Sequence, residues 1–349
     1  MSSPTASPTP LTSTPRLSVR TDVDLSRANS FGLPSRAERF VALTERAQLN
    51  DPLFSEAPTL VLGGGSNLLL LNHVPGLTVQ VLLTGIEWAD GSGRFRVGAG
   101  TDWTQFVRYT LNAGFTGLEN LILIPGTVGA APVQNIGAYG AEVAEFITAV
   151  HVHEYGVGPT ILSPADCAFG YRDSRFKHEP GRYLITAVEF DLNKRRPLRL
   201  DYGAIREELA NRQIEHPTAV DVAAAVTAIR RRKLPDWFYL GNSGSFFKNP
   251  VVKAEVRDRL LAEHPGMPSY PLADGRVKLA AGWLIDRAGL RGVREGAVGT
   301  YAGQALVVVN YGGATGGETL HFSKRVAEQV MERFGVKLER EVQVVGTVL

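Results

Sequence analysis

Cysteine is all but absent, since the 349-residue chain carries only Cys167. A lone thiol excludes an internal disulfide and any cysteine-built zinc cluster, and no metal site is expected. It fits a reducing compartment, although many exported bacterial proteins share that poverty. No apolar run is long enough to span a bilayer. Charge of one sign is also lacking: the formal net charge is +2, so nothing in the total calls for nucleic acid or an anionic membrane. Residues Met1 to Pro15 are mainly Ser, Thr and Pro, without the charged start and apolar core of an export signal. A disordered tail over residues 1–20 and a cytoplasmic compartment are the expectations.

What is present is globular. The chain is 44% hydrophobic and 21% charged, and its length suits two or three domains. Its 37 glycines point to tight turns and close approaches of backbone to ligand. Strands are expected at Thr59–Leu62, Leu77–Leu83, Arg94–Val97, Tyr183–Leu192, Ala305–Val309 and 341–345. Thr101 or Asp102 caps a helix carrying Trp103, Phe106, Val107 and Leu111. Further helices are expected over Asp221–Lys233, Lys278–Leu290 and Glu318–Phe334, the last closed by Gly335. Interspersed strands and helices argue α+β or α/β, with a break near Arg232.

Five segments could carry chemistry. Gly63-Gly64-Gly65-Ser66-Asn67 follows a strand; its amides and polar side chains could cradle a phosphate, or form an ordinary turn. The small-residue run from Ile124 to Gly140 could wrap a flat ligand, and paired with the first segment it favours a dinucleotide. Within Gly170 to Lys177, Arg172 could clamp a carboxylate or sit in a surface ion pair with Asp173. Ser245, between Gly244 and Phe246-Phe247, could deliver a proton or merely cap a turn. Glu339 and Glu341 share one face of a terminal strand, reaching a cleft or solvent. The basic run Arg230 to Lys233 reads as a solvated helix end rather than a nucleic-acid platform.

In this order, these segments resemble the UDP-N-acetylenolpyruvoylglucosamine reductase family, from Asn29-Ser30-Phe31-Gly32-Leu33 to Glu341-Val342-Gln343. Pro125 to Gly140 and Gly244-Ser245-Phe246-Phe247-Lys248-Asn249-Pro250 are the most specific pieces. The resemblance implies an α+β protein: a two-part FAD-binding region of the p-cresol methylhydroxylase/vanillyl-alcohol oxidase type, then a C-terminal α+β substrate-binding domain. Expected boundaries are 21–85 (joined by a strand at 341–349), 86–232 and 233–340. It implies non-covalent FAD, NADPH as reductant and a UDP-sugar substrate in peptidoglycan precursor synthesis. No nucleic-acid or membrane partner is expected, and the chain is expected to be a monomer.

By the same resemblance, Arg172, Ser245 and Glu341 occupy catalytic positions, Ser245 as proton donor. Tyr202, Lys233, Asn249 and Gln304 occupy substrate-contacting positions, Tyr202 on a loop that folds over the substrate. Gly63, Gly64, Gly65, Ser66, Asn67, Pro125, Gly126, Thr127, Gly129, Ala130, Gln134, Asn135, Gly137, Ala138, Tyr139 and Gly140 fall at the flavin. The competing readings are a flavin oxidase or dehydrogenase of the same fold acting on another small substrate, and a non-redox nucleotide-sugar binding module.

Overall fold

The computed structural model describes residues 17–88 and 91–348. Most of the expected tail, residues 1–16, lies outside the described residues, and strand Arg20–Asp24 begins at its far end. The architecture is α+β. A four-stranded sheet runs in the order Arg20–Asp24, Arg36–Leu43, His73–Val81, Leu60–Leu62; its first pair is antiparallel and the others are parallel. Val41, Leu43, Leu77, Val79 and Val81 join the main core, whereas Ala37, Phe40, Leu60, Leu62 and Val74 form a smaller core with Leu25. Alternate residues therefore bury both faces of this sheet, as the strand period of two requires.

The second sheet is antiparallel, in the order Gly158–Leu162, Ile147–Glu154, Tyr183–Asp191, Arg94–Gly98, Ile86–Trp88. Helix Trp103–Asn112 packs on it. Asp102 caps the helix, its carboxylate accepting from the Gln105 amide at 2.8 Å. Trp103, Phe106, Val107 and Leu111 are buried on one face, with the Phe106 ring 4.8 Å from Phe190. Burying each such side chain contributes about 1.5–3 kcal/mol, far more than the helix's intrinsic propensity.

A third sheet orders Gly241–Ser245, Gln304–Asn310, Val298–Tyr301, Arg294–Glu295. Helix Gly316–Phe334 covers its core, started by a Thr315–Glu318 capping box and ended by Gly335 at φ +66°. This C-terminal unit is stitched to N-terminal segments that flank the first sheet. The Asn242 amide donates to the Ser30 carbonyl at 3.0 Å and the Asn310 side-chain amide to the Phe31 carbonyl at 2.9 Å. At the other end, Gln343–Val345 pairs in parallel with Leu68–Leu70.

Several expected elements move. The helix expected over Lys278–Leu290 is strand Val277–Leu279 followed by helix Ala281–Arg287. Val277 and Leu279 are buried on either side of Lys278, a period-two pattern that a helical register would break. The helix expected at Asp221–Lys233 starts earlier, at Ala219, because Thr218 and Asp221 form its capping box. The strand expected at Leu77–Leu83 is His73–Val81. The terminal strand starts at Gln343 rather than Glu341. Glu341 spends its backbone elsewhere, its amide donating to the Phe246 carbonyl at 2.9 Å.

Candidate active site

Ser245 ends strand Gly241–Ser245 at an irregularity in its pairing with Gln304–Asn310. Gly244 precedes it at φ +70°, a backbone that a side chain would strain, and the Asn242 side-chain oxygen accepts the Gly244 amide at 2.9 Å. Phe246 and Phe247, the next two residues, are buried and pack edge to face. Among the described residues no group hydrogen-bonds the half-buried Ser245 side chain.

The chain's last third brings a carboxylate to this serine. Lys248 donates its amide to the Glu339 carbonyl at 2.8 Å, Phe247 bridges Arg340, and Glu341 donates to Phe246. These pairings set Glu341 alongside the Ser245 strand end. Glu339 instead points outward, its side chain 66% exposed against 11% for Glu341. The two glutamates therefore do not share one face, because the segment is bent rather than extended where Glu341 sits.

Arg172 reaches the same place from the other side. It lies in the tight turn Gly170 to Asp173, closed by mutual backbone bonds of 3.0 and 3.2 Å. Its φ is +53°, a left-handed conformation that costs a non-glycine residue about 1–3 kcal/mol. The turn docks on the small-residue run: Asn135 donates to the Gly170 carbonyl at 3.0 Å, and the Ser174 hydroxyl to the Val133 carbonyl at 2.5 Å. The guanidinium donates to the Gly137 carbonyl at 2.5 Å, and its Nε lies 3.1 Å from a Glu341 carboxylate oxygen. A Cβ on Gly137 would sit 3.1 Å from the guanidinium, so glycine there makes room for it. Asp173 turns away to His178, and the surface Arg172–Asp173 pair does not form.

Electrostatics at this junction oppose one another. Burial pushes the Glu341 carboxyl above the ordinary carboxylate range, while Arg172, Lys177 and Lys248 pull it back. Burial lowers the Lys177 and Lys278 ammonium groups. Lys278 stands 4.6 Å over the Tyr171 ring and 5.9 Å from that of Tyr270. Cations thus outnumber the one buried carboxylate, a field suited to an anionic ligand.

The substrate-contacting expectations disperse more. Tyr202 is half-exposed at the start of helix Gly203–Asn211, its ring 5.6 Å from that of Tyr139. Lys233 is exposed at the end of its helix. The Asn249 side-chain oxygen accepts the Ala281 amide at 2.9 Å, so part of its capacity serves the fold. Gln304 tucks its side-chain oxygen against Gly282. Sequence reasoning missed Tyr270 and Lys278, whose signal was the short alternation around Lys278 hidden under a helical reading. It also misjudged Arg230. That residue is half-buried rather than solvated; desolvation lowers its pKa, with the Tyr139 hydroxyl opposing and Arg172 adding to the fall.

The glycine-rich loop and the small-residue run meet backbone to backbone. A Cβ on Gly64 would lie 2.9 Å from the Gly126 Cα, one on Gly63 2.6 Å from the Thr127 hydroxyl, and one on Gly65 2.0 Å from the Ala28 carbonyl. Gly65 has φ +62° and Gly126 φ +125°. Among the described residues no carbonyl or side chain accepts from the amides of Gly64, Gly65 and Ser66. Such free amides on a side-chain-free surface fit a pyrophosphate. The Ser66 hydroxyl donates to the Pro125 carbonyl at 2.9 Å. The Asn67 amide reaches the Gln134 side chain at 2.8 Å and the Glu341 carbonyl at 3.3 Å, coupling loop, run and carboxylate. Other members serve the scaffold. Gly129 donates its amide to the Ala99 carbonyl and leaves room for that residue's methyl group, and Asn135 is buried in hydrogen bonds to Glu142, Gly170 and Ala144. Pro125, Ala130, Ala138 and Gly140 keep the run's surface small.

Comparison with known proteins agrees with this division. Residues 49–157 match the family described as FAD binding domain, and residues 236–345 match UDP-N-acetylenolpyruvoylglucosamine reductase, C-terminal domain. UDP-N-acetylenolpyruvoylglucosamine reductase of Chromobacterium violaceum is 51% identical over 336 residues, covering 93% of this chain and 98% of that protein. The protein of the same name from Azoarcus sp. is 48% identical over 339 residues, covering 94% and 98%. The crystal structure of UDP-N-acetylenolpyruvylglucosamine reductase from Thermus caldophilus superposes with a TM-score of 0.67 at 28% identity, covering 95% of this chain and 99% of that one. With both halves matched and relatives alike along nearly their whole length, the chain belongs to the UDP-N-acetylenolpyruvoylglucosamine reductase family.

Proposed function

We propose that this chain is an NADPH-dependent flavoenzyme that reduces UDP-N-acetylglucosamine enolpyruvate to UDP-N-acetylmuramate for peptidoglycan synthesis. The observation that carries the reading is the Arg172–Glu341 pair, 3.1 Å apart beside Ser245, next to an amide-lined glycine loop.

The chemistry that bound FAD supplies is the carriage of a hydride from NADPH to the vinyl methylene carbon, C3. Gly63 to Asn67 and Pro125 to Gly140 would hold the flavin, mostly around its pyrophosphate and ring. The chain's own residues handle the charge and proton that follow. Negative charge grows at C2 and on the substrate carboxylate, where Arg172 meets it with a planar fork of donors. Glu341, whose carboxyl burial pushes above the ordinary carboxylate range, donates a hydrogen bond to the same carboxylate in its protonated form. Ser245 gives its hydroxyl proton to C2 and is reprotonated from water. A serine is acid enough only toward a strongly basic carbon, which hydride addition creates. Phe246 and Phe247 keep competing water from that carbon. Lys233 and Tyr202 hold the diphosphate and cover it, and Asn249 and Gln304 contact the sugar nucleotide.

Support for non-covalent FAD comes from Cys167, which is wholly buried with its thiol pushed up to about 12 by burial. A thiol so protonated is a poor nucleophile. We read the units as 21–85 with the returning 341–349, 86–232, and 233–340, in a cytoplasmic monomer without a nucleic-acid partner. Among the described residues no helix is long and apolar enough to cross a membrane.

The test is the anaerobic visible spectrum of the purified protein. Yellow colour that NADPH bleaches and UDP-N-acetylglucosamine enolpyruvate restores supports the reading. Bleaching without recovery points to another oxidant, and a protein unable to take up FAD overturns the reading.

A further inference from the structure

Arg172 has an unusual requirement: its side chain must point into the site from a left-handed backbone at φ +53°. The bonds between Gly170 and Asp173 close the turn, yet they leave the Arg172 carbonyl itself to be held. That carbonyl accepts the Lys177 ammonium at 3.0 Å. Lys177 lies one helical turn further along, on the short helix Arg175–His178, and is half-buried. A half-buried ammonium with, among the described residues, a single hydrogen-bond acceptor sits there at a cost, and a solvated lysine would be the default for a surface helix. Ser174 anchors the start of this helix to the Val133 carbonyl, so the lysine cannot simply move outward with it.

Building on the reading above, we propose that Lys177 is a positioning residue for the reductive step, pinning the Arg172 carbonyl so that the guanidinium stays across from Glu341. Its charge has a second consequence. Lys177 faces Glu341 from the returning terminal segment, Lys248 from the C-terminal unit, and Asp173 and Arg172 on its own segment. Glu341 in turn faces Arg172, Lys177 and Lys248, with Tyr171 close by. Lys177 therefore favours the ionised form of Glu341, opposing burial, and removing it lets the carboxyl hold its proton to higher pH.

The experiment compares the FAD-loaded wild type with Lys177→Met, Lys177→Gln and Lys177→Arg. NADPH bleaching and recovery of colour with UDP-N-acetylglucosamine enolpyruvate are followed separately across pH. In Lys177→Met the recovery should slow about a hundredfold, the effect of a misplaced reacting group, while bleaching stays within about twofold. The pH limb of the recovery step should move alkaline by about one unit. Lys177→Arg should restore rate and limb. Lys177→Gln, which keeps a donor without the charge, should recover much of the rate and still show the moved limb. It also carries the test if the Met variant does not fold. A Met or Gln variant with wild-type recovery and an unmoved limb overturns the proposal, as does equal slowing of both halves or failure of Arg to rescue. If the wild type itself neither bleaches nor recovers, the functional reading fails instead, a result separate from these.

Discussion

Arg172 and Glu341 meet at 3.1 Å, one from a strained turn in the middle of the chain and the other from the segment just before the last strand. Neither is placed by its own neighbours alone. Arg172 is seated by Asn135, Gly137 and Ser174, whereas Glu341 is seated by Phe246 and Asn67. Replacing Arg172 with Lys keeps a charge but loses the planar fork. The expected loss is about 100- to 1,000-fold in the rate at which enolpyruvyl substrate restores flavin colour, with NADPH bleaching nearly unchanged. Rapid-mixing absorbance of the two halves checks it, and equal losses in both would contradict this role.

Ser245→Ala removes a hydroxyl from a strand end and little else. Bleaching by NADPH is expected to survive, and recovery of colour to collapse by about 100-fold or more. In deuterated water the wild type should place one deuterium at C2 of the product, read by proton NMR.

The pH dependence of stability follows from Glu341. Burial raises its folded pKa above the ordinary range of a glutamate, so the folded chain holds this proton more tightly than the unfolded chain. The resulting stability is complete below the unfolded value and is lost as pH rises through the folded one. Glu341→Gln lacks that titration. The Tm of the Gln variant minus that of the wild type should become more positive from about pH 4 to about pH 8, as scanning calorimetry would show. A flat difference contradicts the raised carboxyl.

Gly64→Ala places a methyl group 2.9 Å from the Gly126 Cα, where only backbone can yield. The glycine loop and the small-residue run are then forced apart. The purified variant should hold less FAD, seen as a lower ratio of flavin to protein absorbance and weaker binding on FAD titration. Full retention of flavin would show that the cradle lies elsewhere.

Asn135→Ala breaks three hydrogen bonds of a buried side chain, to Glu142, Gly170 and Ala144, at a residue with φ +44°. Two backbone groups and one carboxylate lose a buried partner, at a combined cost of about 2–4 kcal/mol. Urea denaturation of the FAD-free protein measures this loss without relying on catalysis.

Much of the site was legible because its residues break local rules. A run of glycines after a strand, a small-residue stretch between two prolines, and a serine before paired phenylalanines serve no simple helix or strand. Helix Trp103–Asn112 was equally legible, since its cap and apolar face agree. Lys278 was not, because three residues of alternation are too short to stand out against the helix that follows them. Neither was Arg230, which ends a helix in a row of cations and looks solvated until Tyr139 and Arg172 are brought beside it by the fold. The split between Glu339 and Glu341 needed tertiary pairing too, as the bonds that hold this segment come from Phe246, Lys248 and Asn67, far off in the sequence.

The C-terminal part of the chain is stitched to N-terminal segments at both of its ends, near Ser30–Phe31 and along Leu68–Leu70. A body hinged at one point can swing clear; one fastened at two can only rock about the line between them. The alignment of Ser245 with Glu341 therefore does not hang on one contact, since both fastenings restrict the swing of the body that carries the serine.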